Sequence, residues 1–216
     1  MSDALPALIA QALFTGALVA VKVAAGALAV ALAIGMTLAT AAFLTNNRML
    51  QTAIRVYVEA LRNVPSLTFL FLLYFGLASL GIRLSSMAAA ILGLGLIGGA
   101  ITVDIFRSGF RSVPAGQSEA AASIGLTPFV AFWLIVLPQG LRLALPSIGN
   151  YAVALVKDTS LVAAIAAPEI MFNARQLVNE TFETALIYGS AALVYLVLTG
   201  AVAQSVSLAE RRLETR

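Results

Sequence analysis

The chain has 216 residues, of which 61% are hydrophobic and 11% charged, and its mean hydropathy is +0.97. This composition excludes an ordinary soluble domain and indicates an integral membrane protein. The absence of Cys and His excludes disulfides, thiol nucleophiles and imidazole metal sites, and the scattered net charge of +3 argues against nucleic-acid binding.

Apolar runs predict about five transmembrane helices. A bilayer core of about 30 Å needs about 20 apolar residues per helix. The third run is rich in glycine, which suits close helix packing. We therefore expect an all-α, polytopic membrane protein in which residues 1–216 form a single transmembrane domain. The five predicted spans are residues 13–44, 64–82, 84–103, 146–167 and 185–206.

The fourth span has two possible positions. Residues 128–156 are apolar but interrupted by Pro138, Arg142 and Pro146, whereas residues 146–167 are long enough but contain Lys157 and Asp158. We prefer residues 146–167, because this choice leaves Arg142 at the membrane interface.

Basic residues predict the orientation of the spans, because Lys and Arg are enriched in cytoplasmic loops. They follow the first span, the third span and the last span, so we expect the N-terminus outside and the C-terminus in the cytoplasm. Three basic residues, Lys22, Arg83 and Arg175, do not fit this orientation. The supporting residues are Arg48, Arg55, Arg62, Arg107, Arg111, Arg211, Arg212 and Arg216.

A short segment after the third span predicts a helix that contacts another protein. Residues 117–124 are small and helix-forming, and Gly125 can end this helix with a positive φ at no steric cost. Glu119 near its start is favoured by the helix dipole and places a carboxylate towards the cytoplasm. The helix could sit in a groove of a partner protein, and the alternative is an ordinary amphipathic connector.

The same segment resembles a known family motif. Glu119, Ala120 and Ala121, followed by Gly125 and by the sequence Ile-Val-Leu-Pro ending at Pro138, are similar to the EAA loop of ABC importer permeases. The flanking sequences YVEALRNVPSLTFLFLLYFG and LPQGLRLALPSIGNYAVALVKDTSLVAAI resemble the polar amino-acid branch of that family. The resemblance covers residues 10–210.

This resemblance implies the type I ABC importer permease fold and a set of partners. The helix containing Glu119, Ala120, Ala121 and Gly125 would dock on a cytoplasmic ABC ATPase dimer and transmit its closure. ATP and Mg²⁺ would be bound by that ATPase, since this chain contains no phosphate-binding loop and needs no cofactor of its own. A second permease subunit, identical or homologous, and an extracytoplasmic substrate-binding protein would complete the importer, with membrane lipid around it.

Charged and hydroxyl residues in the fourth predicted span are candidates for contact with substrate. Placing an ionisable group inside the membrane costs free energy, so such a residue usually has a function there. Lys157 could bind an α-carboxylate and Asp158 an α-ammonium, and Thr159 and Ser160 add hydroxyls. The alternatives are a structural ion pair, or a span that ends earlier and leaves both charges at the surface.

Asp104 lies near the end of the third span. Arg107, one helical turn later, can pair with it, and this local salt bridge is the preferred interpretation. The second interpretation is that Asp104 contacts the substrate or a gate of the transport path.

The sequence thus predicts a non-enzymatic permease subunit of an ATP-driven importer in the bacterial inner membrane. It would move a polar amino acid or related compound by alternating access, and arginine, glutamine, histidine, an acidic amino acid and an opine-like conjugate all fit. An ATP-independent channel or secondary transporter, and an assembly subunit that translocates nothing itself, are the alternatives.

Overall fold

The structure is a computed structural model that describes residues 5–214, with side chains for residues 5–211. No strand occurs in this part of the chain, which confirms the all-α prediction. The described residues form eight helices: α1 (Leu5–Leu44), α2 (Arg48–Asn63), α3 (Ser66–Ser79), α4 (Ser86–Arg111), α5 (Ala115–Ser123), α6 (Pro128–Ile165), α7 (Ile170–Thr181) and α8 (Thr184–Glu214).

Four of these described helices, α1, α4, α6 and α8, are long and apolar enough to cross a membrane. Helices α2 and α3 meet the same criterion only as a pair, and they are bent by 104° relative to each other. The described residues therefore contain four candidate spans, or five if the bent pair counts as one, which agrees with the prediction of about five. The prediction missed α2, since it treated the basic residues after the first span as a loop.

The second span is shorter than predicted, because its helix ends before a glycine. Gly81 has a φ of +87°, and its N–H donates to the Ala78 carbonyl while the Ile82 N–H donates to the Leu77 carbonyl. These two bonds form a Schellman cap that terminates α3. The helix therefore covers Ser66–Ser79 rather than residues 64–82.

The fourth span differs from both predicted positions. Helix α6 runs without a break over Pro128–Ile165 and includes a π-helical turn at Phe132–Val136 and a final 3₁₀ segment at Thr159–Ile165. Pro146 lies inside the helix. Prolines are tolerated in membrane helices, where neighbouring groups satisfy the freed backbone carbonyls. Both apolar runs belong to this one helix, so they are not alternatives to each other.

Helices α1 and α4 form the centre of the bundle. They are parallel, because Gly26 faces Ile91 while Gly35 faces Thr102. The Thr102 hydroxyl is buried and donates to the Ala31 carbonyl at 2.7 Å. The predicted packing role of the glycines in α4 is confirmed by their contacts with other helices, which involve Leu70, Val30, Tyr151 and Tyr57 at positions 93, 95, 98 and 99 respectively.

Helix α6 packs antiparallel to α4, and α8 runs parallel to α1. Gly109 contacts Gly140 and Gly98 contacts Tyr151, whereas Gly149 meets Val206. As a result α5, the start of α2 and the end of α8 lie at one end of the bundle. The side chain of Arg212 and all of Arg216, used to predict orientation, lie outside the described part of the chain.

The opposite end carries α7, which the sequence analysis did not predict. Ile170, Ala174 and Leu177 are buried against Ile9 and Leu13 of α1. The Asn173 side chain donates to the Ala12 carbonyl at 2.8 Å. This helix fixes the connection between α6 and α8 against the first turns of α1.

Candidate functional site

Helix α5 is a short, mostly exposed helix at the end of the bundle. It begins at Ala115, directly after Pro114, and ends at Ser123. The predicted range, 117–124, was therefore displaced, because Pro114 has the φ of −56° that suits the residue before a helix start and brings the first turn two residues earlier. Only Ala121 of this helix is buried, and Glu119 and Ala120 are exposed.

The C-terminus of α5 has the geometry that the sequence predicted. Gly125 has a φ of +81°, its N–H donates to the Ala122 carbonyl at 3.0 Å, and the Leu126 N–H donates to the Ala121 carbonyl at 3.0 Å. This is a complete Schellman cap. It reverses the chain into α6, whose first residue, Pro128, follows the capping hydroxyl of Thr127.

Apolar side chains are exposed beside α5. Ile124 is 75% exposed, and Phe129, Trp133 and Leu134 at the start of α6 are also exposed. The Glu119 side chain on α5 is exposed as well. A protein interface commonly combines such an apolar centre with a polar rim.

A cavity of about 550 Å³ lies near the other end of α6. This volume is within the range of about 300–1,000 Å³ that small-molecule sites occupy. Its walls come from the end of α6, the start of α7 and one face of α8. The lining residues are Lys157, Ser160, Met171, Tyr188, Ala192 and Tyr195.

The structure places the four predicted substrate residues of α6 differently. Lys157 and Ser160 line the cavity. Thr159 is fully buried and donates its hydroxyl proton to the Val156 carbonyl at 2.7 Å. Asp158 is half-buried and is not among the lining residues. No salt bridge within 4.0 Å joins Lys157 to Asp158 in the described part of the chain, although the two charges interact electrostatically.

Asp104 lies elsewhere, and its partner differs from the prediction. Its carboxylate accepts a hydrogen bond from Arg62 of α2, not from Arg107 of its own helix. The local salt bridge was wrong because α2, which the sequence analysis did not recognise, crosses α4 at this level. The Tyr57 hydroxyl donates to the Leu96 carbonyl at the same crossing.

Sequence reasoning missed a buried carboxylate behind the cavity. Glu169 is fully buried between α6 and α7, where its Oε1 accepts the Phe172 N–H at 2.8 Å and its Oε2 accepts the Tyr195 hydroxyl. Burial raises the pKa of Glu169, and these hydrogen bonds oppose that shift. A sequence signal existed: Glu169 stands just before a helix, and Tyr188, Ala192 and Tyr195 share one helical face.

Comparison with known proteins now decides the family. Residues 31–216 match the family described as "binding-protein-dependent transport system inner membrane component". The chain belongs to this family. It is thus a multi-pass permease subunit of the ABC transporter class, and the family resemblance found in the sequence is confirmed.

Individual relatives agree with this assignment. The probable glutamine ABC transporter permease protein GlnP of Bacillus subtilis is 41% identical over 171 residues, covering 78% of this permease and 77% of the relative. The nopaline transport system permease protein NocM of Agrobacterium fabrum is 35% identical over 177 residues, covering 77% of this permease and 73% of the relative.

Solved structures share the fold. An amino acid ABC transporter crystallised with histidines superposes with a TM-score of 0.88 at 26% identity, over 94% of each chain. A chain of an inward-facing MetNI methionine ABC transporter superposes with a TM-score of 0.82 at 17% identity, over 94% of this permease and 96% of that chain. The type I permease fold expected from the sequence is therefore confirmed.

Proposed function

We propose that this permease moves a polar amino acid or a closely related compound across the bacterial inner membrane, driven by ATP hydrolysis on a separate subunit. Residues 1–216 would act as one permease domain. The names of its relatives support an amino-acid or amino-acid-derived substrate, since they include glutamine and nopaline permeases. A cavity containing both Lys157 and hydroxyl groups suits such a polar ligand.

Membership of the family and the exposed surface of α5 support the proposed assembly. A cytoplasmic ABC ATPase dimer, with ATP and Mg²⁺, would bind the surface around Glu119, Ala120, Ala121 and Gly125. A second permease subunit, identical or homologous, would complete the transmembrane path, and an extracytoplasmic substrate-binding protein would deliver the substrate. This arrangement requires the α5 end of the bundle and the C-terminus to face the cytoplasm, with the N-terminus outside.

The proposed mechanism is alternating access. A substrate shifts the balance between inward and outward states only by its differential affinity for them. Closure of the ATPase dimer therefore has to supply the remaining free energy through α5. The Schellman cap at Gly125 joins α5 to the start of α6 in a defined geometry, and α6 carries Lys157 and Ser160 at its far end. A displacement of α5 would thus move the cavity wall as part of one continuous helix.

The main support for this proposal is the exposure of α5. A nine-residue helix with a single buried side chain contributes little to the packing of its own bundle, so its surface is available to a partner protein. The test is ATP-driven uptake of radiolabelled L-glutamine, L-arginine and L-histidine by proteoliposomes that contain the complete importer. We expect wild-type uptake of at least one of these amino acids. Glu119→Lys should abolish uptake and disconnect ATP hydrolysis from substrate, while the variant still inserts and assembles.

The control is Glu59→Lys, which makes the same charge change on the exposed face of α2. It should leave uptake close to that of the wild type. Normal uptake by the Glu119→Lys importer would contradict the proposed role of α5.

A further inference from the structure

Glu169 behind the cavity and Tyr195 in its wall are joined by a hydrogen bond. Glu169 itself is fully buried and does not reach the cavity. Its Oε2, however, accepts the proton of Tyr195, and Tyr195 lines the cavity. Among the side chains that line the cavity, Tyr195 is the one that donates a hydrogen bond to Glu169.

The Glu169 carboxylate is held in place from both sides. Its Oε1 accepts the Phe172 N–H in the first turn of α7, so the carboxylate caps that helix. Carboxylates at this position are favoured by the unpaired N–H groups and the helix dipole. With its other oxygen on Tyr195, the carboxylate has a fixed orientation and ties α7 to α8.

Tyr195 is left as a hydrogen-bond acceptor. A phenol has one proton, and here Glu169 takes it. Two further groups lie within reach of the Tyr195 oxygen: the Met171 backbone, and the Thr159 hydroxyl, whose own proton is on the Val156 carbonyl. Tyr195 therefore offers an oxygen lone pair and no proton to a ligand, whereas Tyr188, which lines the cavity from the same helix, can still donate its hydroxyl proton.

The α6 side of the cavity has the opposite character. Lys157 carries three N–H donors and a positive charge, and Ser160 adds a hydroxyl. A ligand that matches both walls needs an anionic acceptor for Lys157 and a hydrogen-bond donor for Tyr195. The α-carboxylate and α-ammonium of a zwitterionic amino acid have these properties.

We propose that Tyr195, oriented by Glu169, recognises the ammonium group of the substrate, so that the cavity of this subunit itself selects amino acids over carboxylates that lack an amine. The proposal rests on the function proposed above. It makes Tyr195 a specificity-determining residue and Glu169 a positioning residue.

The experiment measures binding to the complex of permease and ATPase subunits in nanodiscs. The external substrate-binding protein is left out, so that the permease alone determines selectivity. The ligand is whichever of L-glutamine, L-arginine and L-histidine the wild type transports fastest, compared with its des-amino analogue: glutaramate, 5-guanidinovalerate or imidazole propionate. We expect the wild type to bind the amino acid roughly tenfold more tightly than the analogue or better, because hydrogen bonds to charged groups are the stronger ones.

Two substitutions should remove this preference by different routes. Tyr195→Phe deletes the acceptor oxygen and keeps the ring. Glu169→Gln keeps the shape but can donate from its amide to the Tyr195 oxygen, which returns the tyrosine proton to the cavity. Both should lower the selectivity ratio about tenfold, while the affinity for the des-amino analogue stays at the wild-type value and reports an intact cavity.

A double variant separates positioning from structural effects. Since Glu169 acts through Tyr195, adding Glu169→Gln to Tyr195→Phe should cause no further loss of selectivity. Tyr74→Phe on α3, away from the cavity lining, is the matched control and should keep the wild-type ratio.

The outcomes distinguish the two proposals. Absence of ATP-driven uptake of L-glutamine, L-arginine, L-histidine, L-glutamate and nopaline by the wild type would overturn the proposed function. Uptake by the wild type together with no preference for the amine, or with an unchanged ratio in the Tyr195→Phe variant, would overturn only the role of Tyr195. An altered ratio in the Tyr195→Phe variant but an unchanged one in the Glu169→Gln variant would overturn the positioning role of Glu169.

Discussion

Gly35 of α1 faces Thr102 of α4 so closely that a Cβ at position 35 would lie 2.1 Å from the threonine hydroxyl oxygen. The same hydroxyl donates to the Ala31 carbonyl on the preceding turn of α1. The two central helices of the permease are therefore held together by a small residue and an interhelical hydrogen bond, as is common in membranes.

Gly35→Ala should destabilise the permease by forcing α1 away from α4. Overpacking of this kind costs about 1–3 kcal/mol, and each kcal/mol lowers the melting temperature of a protein of this size by about 2–4 °C. The measurement is thermal unfolding of the purified importer in detergent. Gly200→Ala on α8, where a Cβ would meet nothing within 4 Å, is the matched control and should not lower the melting temperature.

Exchanging the charges of Arg62 and Asp104 tests the bond between α2 and α4. Arg62→Glu and Asp104→Arg should each lower the melting temperature slightly, and the double variant should recover part of the loss. The pair is 53% and 40% exposed, so a contribution of about 0.2–1 kcal/mol is expected. If Asp104→Arg were rescued by Arg107→Glu instead, the local pairing predicted from the sequence would be the correct one.

Adjacent alanines of α5 should respond differently to enlargement. Ala121 is 1% exposed and anchors α5 to the bundle, whereas Ala120 is exposed. Ala121→Leu should therefore lower the melting temperature of the permease, and Ala120→Leu should leave it unchanged while weakening ATP-driven uptake if this face binds the ATPase. Equal effects on stability would show that α5 does not pack as described.

The glycine that ends α5 should be more sensitive than the glycine near its start. Gly125→Ala introduces a Cβ at a φ of +81°, which costs roughly 1–2 kcal/mol, whereas Gly116 has no such restriction. We expect Gly125→Ala to reduce uptake and to accelerate amide hydrogen exchange at Leu126. Gly116→Ala should accelerate neither this exchange nor that of neighbouring amides. Unchanged protection at Leu126 in the Gly125→Ala permease would contradict the cap.

Features with a local cause were predictable from the sequence. The glycine-terminated helix was predicted because the freedom of Gly125 to adopt positive φ depends on nothing beyond the residue itself. The predicted bounds of the second and fourth spans differ from those of α3 and α6 for a related reason. Hydropathy measures where a segment prefers lipid, but it does not detect the cap at Gly81 or the tolerance of Pro146 within α6.

By itself, then, the sequence determined the membrane class, the approximate number of spans and the segment that forms α5, since these depend on hydropathy, length and single-residue geometry. Only the tertiary structure decided which polar groups meet: Arg62 with Asp104, and Glu169 with Tyr195. Such pairs join residues far apart in the chain, and their contact depends on the rotation and depth of each helix. Packing against neighbouring helices sets that rotation and depth, and hydropathy does not encode them.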